Sequence, residues 1–174
     1  MITSDANVRG LQSPILHSRK PTTSLDTGKI TLDLDVSDIL NQAMSYNAIP
    51  TITSLKITNQ VEELLEDILI RMELKPGVSE VRETAIAELG SGSTREIDET
   101  ELALKLNSER LANTIELEPI ELLTEISSQG ETLLIQSNPI DLLAYNEWNA
   151  NSGLLHLLAA FVQPNHPALV PLLD

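Results

Sequence analysis

Apolar and polar residues alternate with a period of two over several short stretches of this chain. That period marks a strand with one covered face. In "KITLDLDV" (29–36) Ile30, Leu32, Leu34 and Val36 share one side, while Thr31, Asp33 and Asp35 share the other. "TSLKITN" (53–59) repeats the pattern with Leu55 and Ile57 inward, and "LEDILIRMEL" (65–74) with Ile68, Ile70, Met72 and Leu74 inward, stopped by the turn "KPG" at 75–77. "VRETAIAEL" (81–89) fits strand or helix and is read as strand from its neighbours, with "GSGS" (90–93) as a hairpin loop after it. "ELALKL" (101–106) alternates through Leu102, Leu104 and Leu106 and predicts a further strand. "TIELEPIELLTEIS" (114–127) and "ETLLIQSNPIDLLAY" (131–145) flank an "SQG" turn as a long hairpin, in which Pro119 and Pro139 predict ladder breaks at edges, bulges or sheet switches.

Between the strands lie two short helical predictions. One is the segment 37–47, helical or irregular, capped by Ser37 or Asp38; the other is 107–113, capped by Asn107 or Ser108. Seven to eight strands with turn signals between them predict a mainly β fold, an antiparallel β-sandwich, and no βαβ alternation supports a doubly wound sheet. Residues 1–28, rich in Ser, Thr, Pro and Asn without an apolar period, read as a flexible leader before a sandwich domain at 29–146.

The period changes once more near the end. "SGLLHLLAAFV" (152–162) is a run of helix formers with Ser152 as cap and Pro164 as stop, and Asn165 with Pro167 marks a second helix start. Residues 147–174 are thus expected to be a helical junction opening a following domain. From Trp148 to Leu173 there is no Asp, Glu, Lys or Arg, in a chain with 26 acidic and 11 basic residues. A helix apolar all round, as Leu154, Leu155, Leu157, Leu158 and Phe161 would make this one, needs cover all round. Burying each such side chain is worth roughly 1.5–3 kcal/mol. The sandwich can supply one wall, so a further layer is expected to supply the other.

Composition narrows the chemistry. The net charge is −15, and Arg9, Arg19, Lys20 and Lys29 against Asp5 and Asp26 leave residues 1–30 with a small positive excess. The acidic remainder repels phosphate backbones, and no basic stripe with interleaved aromatics offers a stacking platform, so direct nucleic-acid binding is not expected. Cysteine is absent, which excludes disulfide scaffolds and thiolate metal sites. No basic start with a long apolar run opens the chain, and prolines interrupt every apolar stretch near the roughly 18 residues a membrane span needs. A cytoplasmic location with no membrane contact is the expectation.

No motif assembles an enzyme. "DTGKIT" (26–31) has the Gly-Lys pair of a phosphate-binding loop, but Thr23 stands where that loop needs glycine and Ile30 where it needs a hydroxyl. "GSGST" (90–94) precedes no helix. Asp33, Asp35 and Asp38 lack the turn glycine and closing glutamate of a calcium loop, and read as a solvated strand face. Glu62, Glu63, Glu66 and Asp67 read as surface in a strand-to-strand turn, and no spacing singles out a carboxylate pair. There is no G-x-S-x-G elbow. His156 sits in an apolar helix and His166 at a helix start, where packing and turn closure explain them. No catalytic residue, metal or cofactor is expected.

One stretch is distinctive. "PIDLLAYNEWNANSGLLHLLAAFVQPNHPAL" (139–169), with "ITSLKITNQVEELLEDILIRMEL" and "LGSGSTREID" upstream, resembles the N-terminal region of large bacterial proteins related to superfamily 1 DNA/RNA helicases. The resemblance covers roughly residues 30–173. It implies an immunoglobulin-like sandwich followed by a short helical segment, with Tyr145, Asn146, Glu147, Trp148, Pro164, Asn165, His166 and Pro167 at the junction. Leu158 and Phe161 join them as apolar contacts. No Walker, helicase or nuclease motif is present, so ATPase, unwinding and cleavage activities do not carry over. The expected role is a non-enzymatic accessory or scaffold domain of a helicase-like system, one directed against foreign DNA among the possibilities. Residues 148–173 would meet the downstream helicase-like region or a partner protein, and the chain alone would self-associate. Two other classes remain in view. One is a stand-alone sandwich module gripping a peptide or glycan with loops or an edge strand; the other is a small enzyme using surface carboxylates or His166.

Overall fold

The computed structural model describes residues 20–147. Two β-sheets face each other there. The larger has strands β1 (Thr22–Asp26), β9 (Glu131–Leu142), β8 (Glu118–Ser128), β5 (Leu65–Lys75) and β6 (Arg82–Leu89) in that order, and the two-residue β3 (Ile39–Leu40) pairs with β9. The smaller sheet runs β2 (Ile30–Val36), β4 (Ile52–Asn59), β7 (Thr94–Ile97). Every pairing is antiparallel except the parallel β3–β9 contact. The mainly β, antiparallel expectation holds, with nine strands among the described residues where seven to eight were predicted.

The alternation read from the sequence is the alternation that packs. Leu55, Ile57 and Ile97 of the small sheet belong to the same buried cluster as Ile70, Met72, Leu74, Leu122 and Ile126 of the large one. Leu32, Leu34 and Val36 lie half-buried against it. The β8–β9 hairpin closes through Gln129 and Gly130, both at positive φ (49° and 80°), the conformation that a two-residue turn between right-twisted strands requires.

Both prolines sit inside the β8–β9 ladder, Pro119 opposite Asp141 and Pro139 opposite Glu121, and its register shifts only between Ile126 and Ser127, away from either, which corrects the predicted breaks. Their missing N–H groups fall where no described strand pairs. β5 reaches β8 only as far as Glu121, leaving the side of Pro119 away from β9 uncovered. On β9, β1 ends at Ser137 and β3 begins at Asp141, so Pro139 occupies the gap between them. The edge-like position was right; the interruption was not.

Four other expectations change. Thr22–Asp26, assigned to a flexible leader, forms β1 on the edge of the large sheet, because Leu25 and its neighbours pair with 134–137 of β9; residues 1–19 lie outside the described ones. The "GSGS" loop is not a hairpin: β6 and β7 belong to different sheets, and residues 90–93 carry the chain across the sandwich. "ELALKL" is not a strand. Asp98 accepts hydrogen bonds from the Thr100 N–H (2.9 Å) and hydroxyl (2.6 Å), and this cap starts helix α2 (Glu99–Leu102) where alternation alone predicted extension. Glu66 and Asp67 lie in β5, not in a turn.

The remaining helices are α1 (Gln42–Tyr46) and α3 (Ser108–Ala112). Asn107 caps α3, as predicted. Asn41, not Ser37 or Asp38, caps α1, since the carbonyls of Asp38 and Leu40 are engaged by the N–H groups of Asp141 and Leu143 (both 2.9 Å). No helix among the described residues is long and apolar enough to cross a membrane.

Candidate functional site: the exit joint

The described chain leaves the sandwich through Leu143–Glu147, and each step of that exit is tied down. Leu143 is buried with Ile39 and Met44 in a small second core under α1. The Tyr145 N–H donates to the Thr114 carbonyl (2.8 Å). Glu147 then folds back: its N–H donates to the Ala144 carbonyl (3.0 Å), and its carboxylate accepts from the Ala144 N–H (3.3 Å). Asn41, only 3 % exposed, is the bolt. Its Oδ1 caps α1 through the Met44 N–H (2.9 Å), while its Nδ2 donates to the Glu147 carbonyl (3.2 Å).

A second brace holds the accepting segment between α3 and β8. Thr114, fully buried, donates its hydroxyl to the Arg110 carbonyl (3.0 Å) and accepts from the Arg110 guanidinium (3.2 Å). Arg110 also makes a two-pronged pair with the Glu118 carboxylate at the start of β8. Hydrogen bonding from Arg110 holds the Glu118 carboxyl below its ordinary range and raises the Arg110 guanidinium, with desolvation opposing both. α1 packs beside α3, so the capped helix, the exit turn and the Arg110–Glu118 pair form one assembly.

Four large side chains with apolar surface are exposed on the segments of this assembly. Ile115 is 79 % exposed and Tyr46 73 %, and Leu117 and Tyr145 are also exposed. Asn146 is exposed beside them and Glu147 half-buried. Of the predicted junction residues, the structure thus places Tyr145, Asn146 and Glu147. Trp148, Leu158, Phe161, Pro164, Asn165, His166 and Pro167 lie outside the described residues, as do His156 and the predicted C-terminal helices. Sequence reasoning missed Asn41 and Thr114. The signal for Asn41 was an Asx residue directly before a helix-forming run; Thr114 carried none.

Elsewhere the candidate chemistry is sparse. No group of three or more His, Asp or Glu side chains suited to a metal occurs among the described residues. Asp33, Asp35 and Asp38 are exposed on and after β2. A cleft of about 380 Å³ beside α2 and the loop after α1 is lined by Ile49, Pro50, Leu104 and Leu106, with Glu99 its lone carboxylate among the described residues. No protein-family model matches the chain, and no curated protein matches its sequence.

Proposed function

We propose that this chain is a non-enzymatic accessory or scaffold domain whose C-terminal joint seats a neighbouring layer of protein. The observation that carries the reading is the exit at Glu147. A capped helix, a folded-back turn and an ion pair fix the direction of departure, and exposed Tyr46, Ile115, Leu117 and Tyr145 surround it. A chain that merely trails away needs no such bracing. The stretch that follows, 148–173, has no charged residue, as a segment bound for an interface would.

On this reading the sandwich is immunoglobulin-like, and the resemblance of 139–169 to helicase-related proteins supports a downstream helicase-like region as the layer that is seated. The location is the cytoplasm, and nucleic acid is handled by that region and not by this acidic one. The test uses Trp148, the sole tryptophan. Mixing or fusing the chain with the helicase-like region is expected to turn a self-associating protein into a single species in sedimentation, with a blue-shifted Trp148 emission. A monodisperse monomer whose emission does not move on adding that region would overturn the proposal.

A further inference from the structure

A second surface stands apart from the joint and does not depend on it. β2 is an edge strand of the small sheet. The Gln60 N–H donates to the Lys29 carbonyl, which fixes the phase of the β2–β4 ladder. By the alternation of an antiparallel pair, Thr31, Asp33 and Asp35 turn their main-chain groups towards β4, and Leu32 and Leu34 turn theirs outward. Between that edge and the large sheet lies a groove of about 430 Å³, with Leu32, Leu34 and Val36 on one wall and Pro21, Asn138 and Pro139 on the other. The groove opens where neither β1 nor β3 covers β9.

We propose that the β2 edge is a docking site for an extended basic peptide from a partner protein, added as a fourth strand with cationic and apolar side chains in alternation. The backbone demand comes from Leu32 and Leu34, whose N–H and C=O groups have no partner among the described residues and are a template for one more strand. The apolar demand comes from the inner face, where Leu32, Leu34 and Val36 are only half-buried. The charge demand comes from the outer face. There Glu96, Lys56 and Asp33 stand opposite one another across three strands, and Lys56 pairs with Glu96 (3.6 Å). Asp33 makes no ion pair among the described residues, so the next place in this minus–plus–minus row calls for a cation. Asp35 accepts from the Thr53 hydroxyl (2.8 Å) and presents the same sign two residues on.

A second copy of this chain fits poorly. Pairing two β2 edges antiparallel would set aspartates against aspartates within a body of net charge −15.

The experiment is fluorescence anisotropy on the full chain with a labelled peptide of alternating Lys and Val. Its controls are a Glu–Val peptide and a Lys–Val peptide N-methylated at every second amide. Saturable binding of the Lys–Val peptide alone is expected. Asp33→Asn with Asp35→Asn should weaken it roughly fivefold to tenfold. Leu34→Pro, which removes an outward N–H without touching the β4 ladder, should abolish it with circular dichroism unchanged. Glu88→Gln on the far strand β6 should leave it intact. Equal binding of the methylated peptide, or indifference to the aspartate substitutions, would reduce the effect to bulk charge and overturn the proposal. Tighter binding by a chain trimmed to begin at Lys20 would overturn the partner assignment, making residues 1–19 the occupant.

Discussion

Asn59 holds Leu89 across the sandwich: the side-chain amide at the end of β4 donates to the last carbonyl of β6 at 2.9 Å. The same nitrogen donates to the Glu63 carbonyl (2.8 Å), and its oxygen accepts from the Val61 N–H (2.9 Å). The Asn59 main chain bonds Gly92 and Ser93. One fully buried amide thus satisfies backbone groups in the β4–β5 loop and at the end of β6, where the chain prepares to change sheets. Asn59→Ala leaves the buried Leu89 carbonyl unmet and frees the partly covered Val61 and Glu63 groups, and is expected to cost about 2 kcal/mol. A urea titration followed by circular dichroism reads the loss directly; a shift under about 1 kcal/mol would remove Asn59 from this role.

At the exit joint, capping and tethering separate by substitution. Asn41→Ala loses both and should destabilise by about 2 kcal/mol. Asn41→Asp keeps the α1 cap but cannot donate to the Glu147 carbonyl, so about half of that loss is expected. Equal effects in thermal melts would mean that the tether contributes nothing.

Acid should release the Arg110–Glu118 brace. The folded-state carboxyl of Glu118 is held below the ordinary glutamate value of about 4.3, so its contribution is present in full above that value. It disappears as pH falls through the lower, folded value. The stability difference between the native chain and Glu118→Gln should therefore be constant near neutrality and vanish in strong acid. A difference that grew on acidification would contradict the assignment.

Thr124 offers a gain. Its hydroxyl is buried in the core face of β8 without a hydrogen-bond partner among the described residues. Replacing it with valine keeps the branched shape and removes the unmet hydroxyl, and should stabilise by about 1 kcal/mol in denaturant titration. A loss would show that the hydroxyl is satisfied in solution.

Ile115→Ser and Tyr145→Ser probe the apolar surface round the exit. Both side chains are exposed, so stability should stay within about 0.5 kcal/mol while self-association falls in sedimentation velocity. Unchanged association would place the sticky surface elsewhere.

Much of the fold was legible because strand faces are written with a period of two. Leu55 and Ile57, and Ile68, Ile70, Met72 and Leu74, are buried as their spacing demands. Leu102, Leu104 and Leu106 carry the same period yet do not form a strand, because two hydrogen bonds from Thr100 to Asp98 decide the local backbone first. Sheet membership was not legible at all. Nothing in "GSGS" distinguishes a loop that returns to its own sheet from one that crosses to the other, since that choice is made by partners far along the chain, Asn59 among them. The candidate joint was half legible: the uncharged stretch and "YNEW" drew attention to it, whereas the Asn41 bolt joins residues 106 apart in sequence.

Pro139 gives the open side of the sandwich a polarity of its own. Having no hydrogen to offer, that part of β9 presents a guest in the groove with an acceptor but no donor, so the paired rungs that set a guest's alignment would belong to β2. Such a visitor would be gripped mainly from one flank. It could then peel off along β2 without disturbing the larger sheet, a geometry suited to exchange and not to permanent assembly.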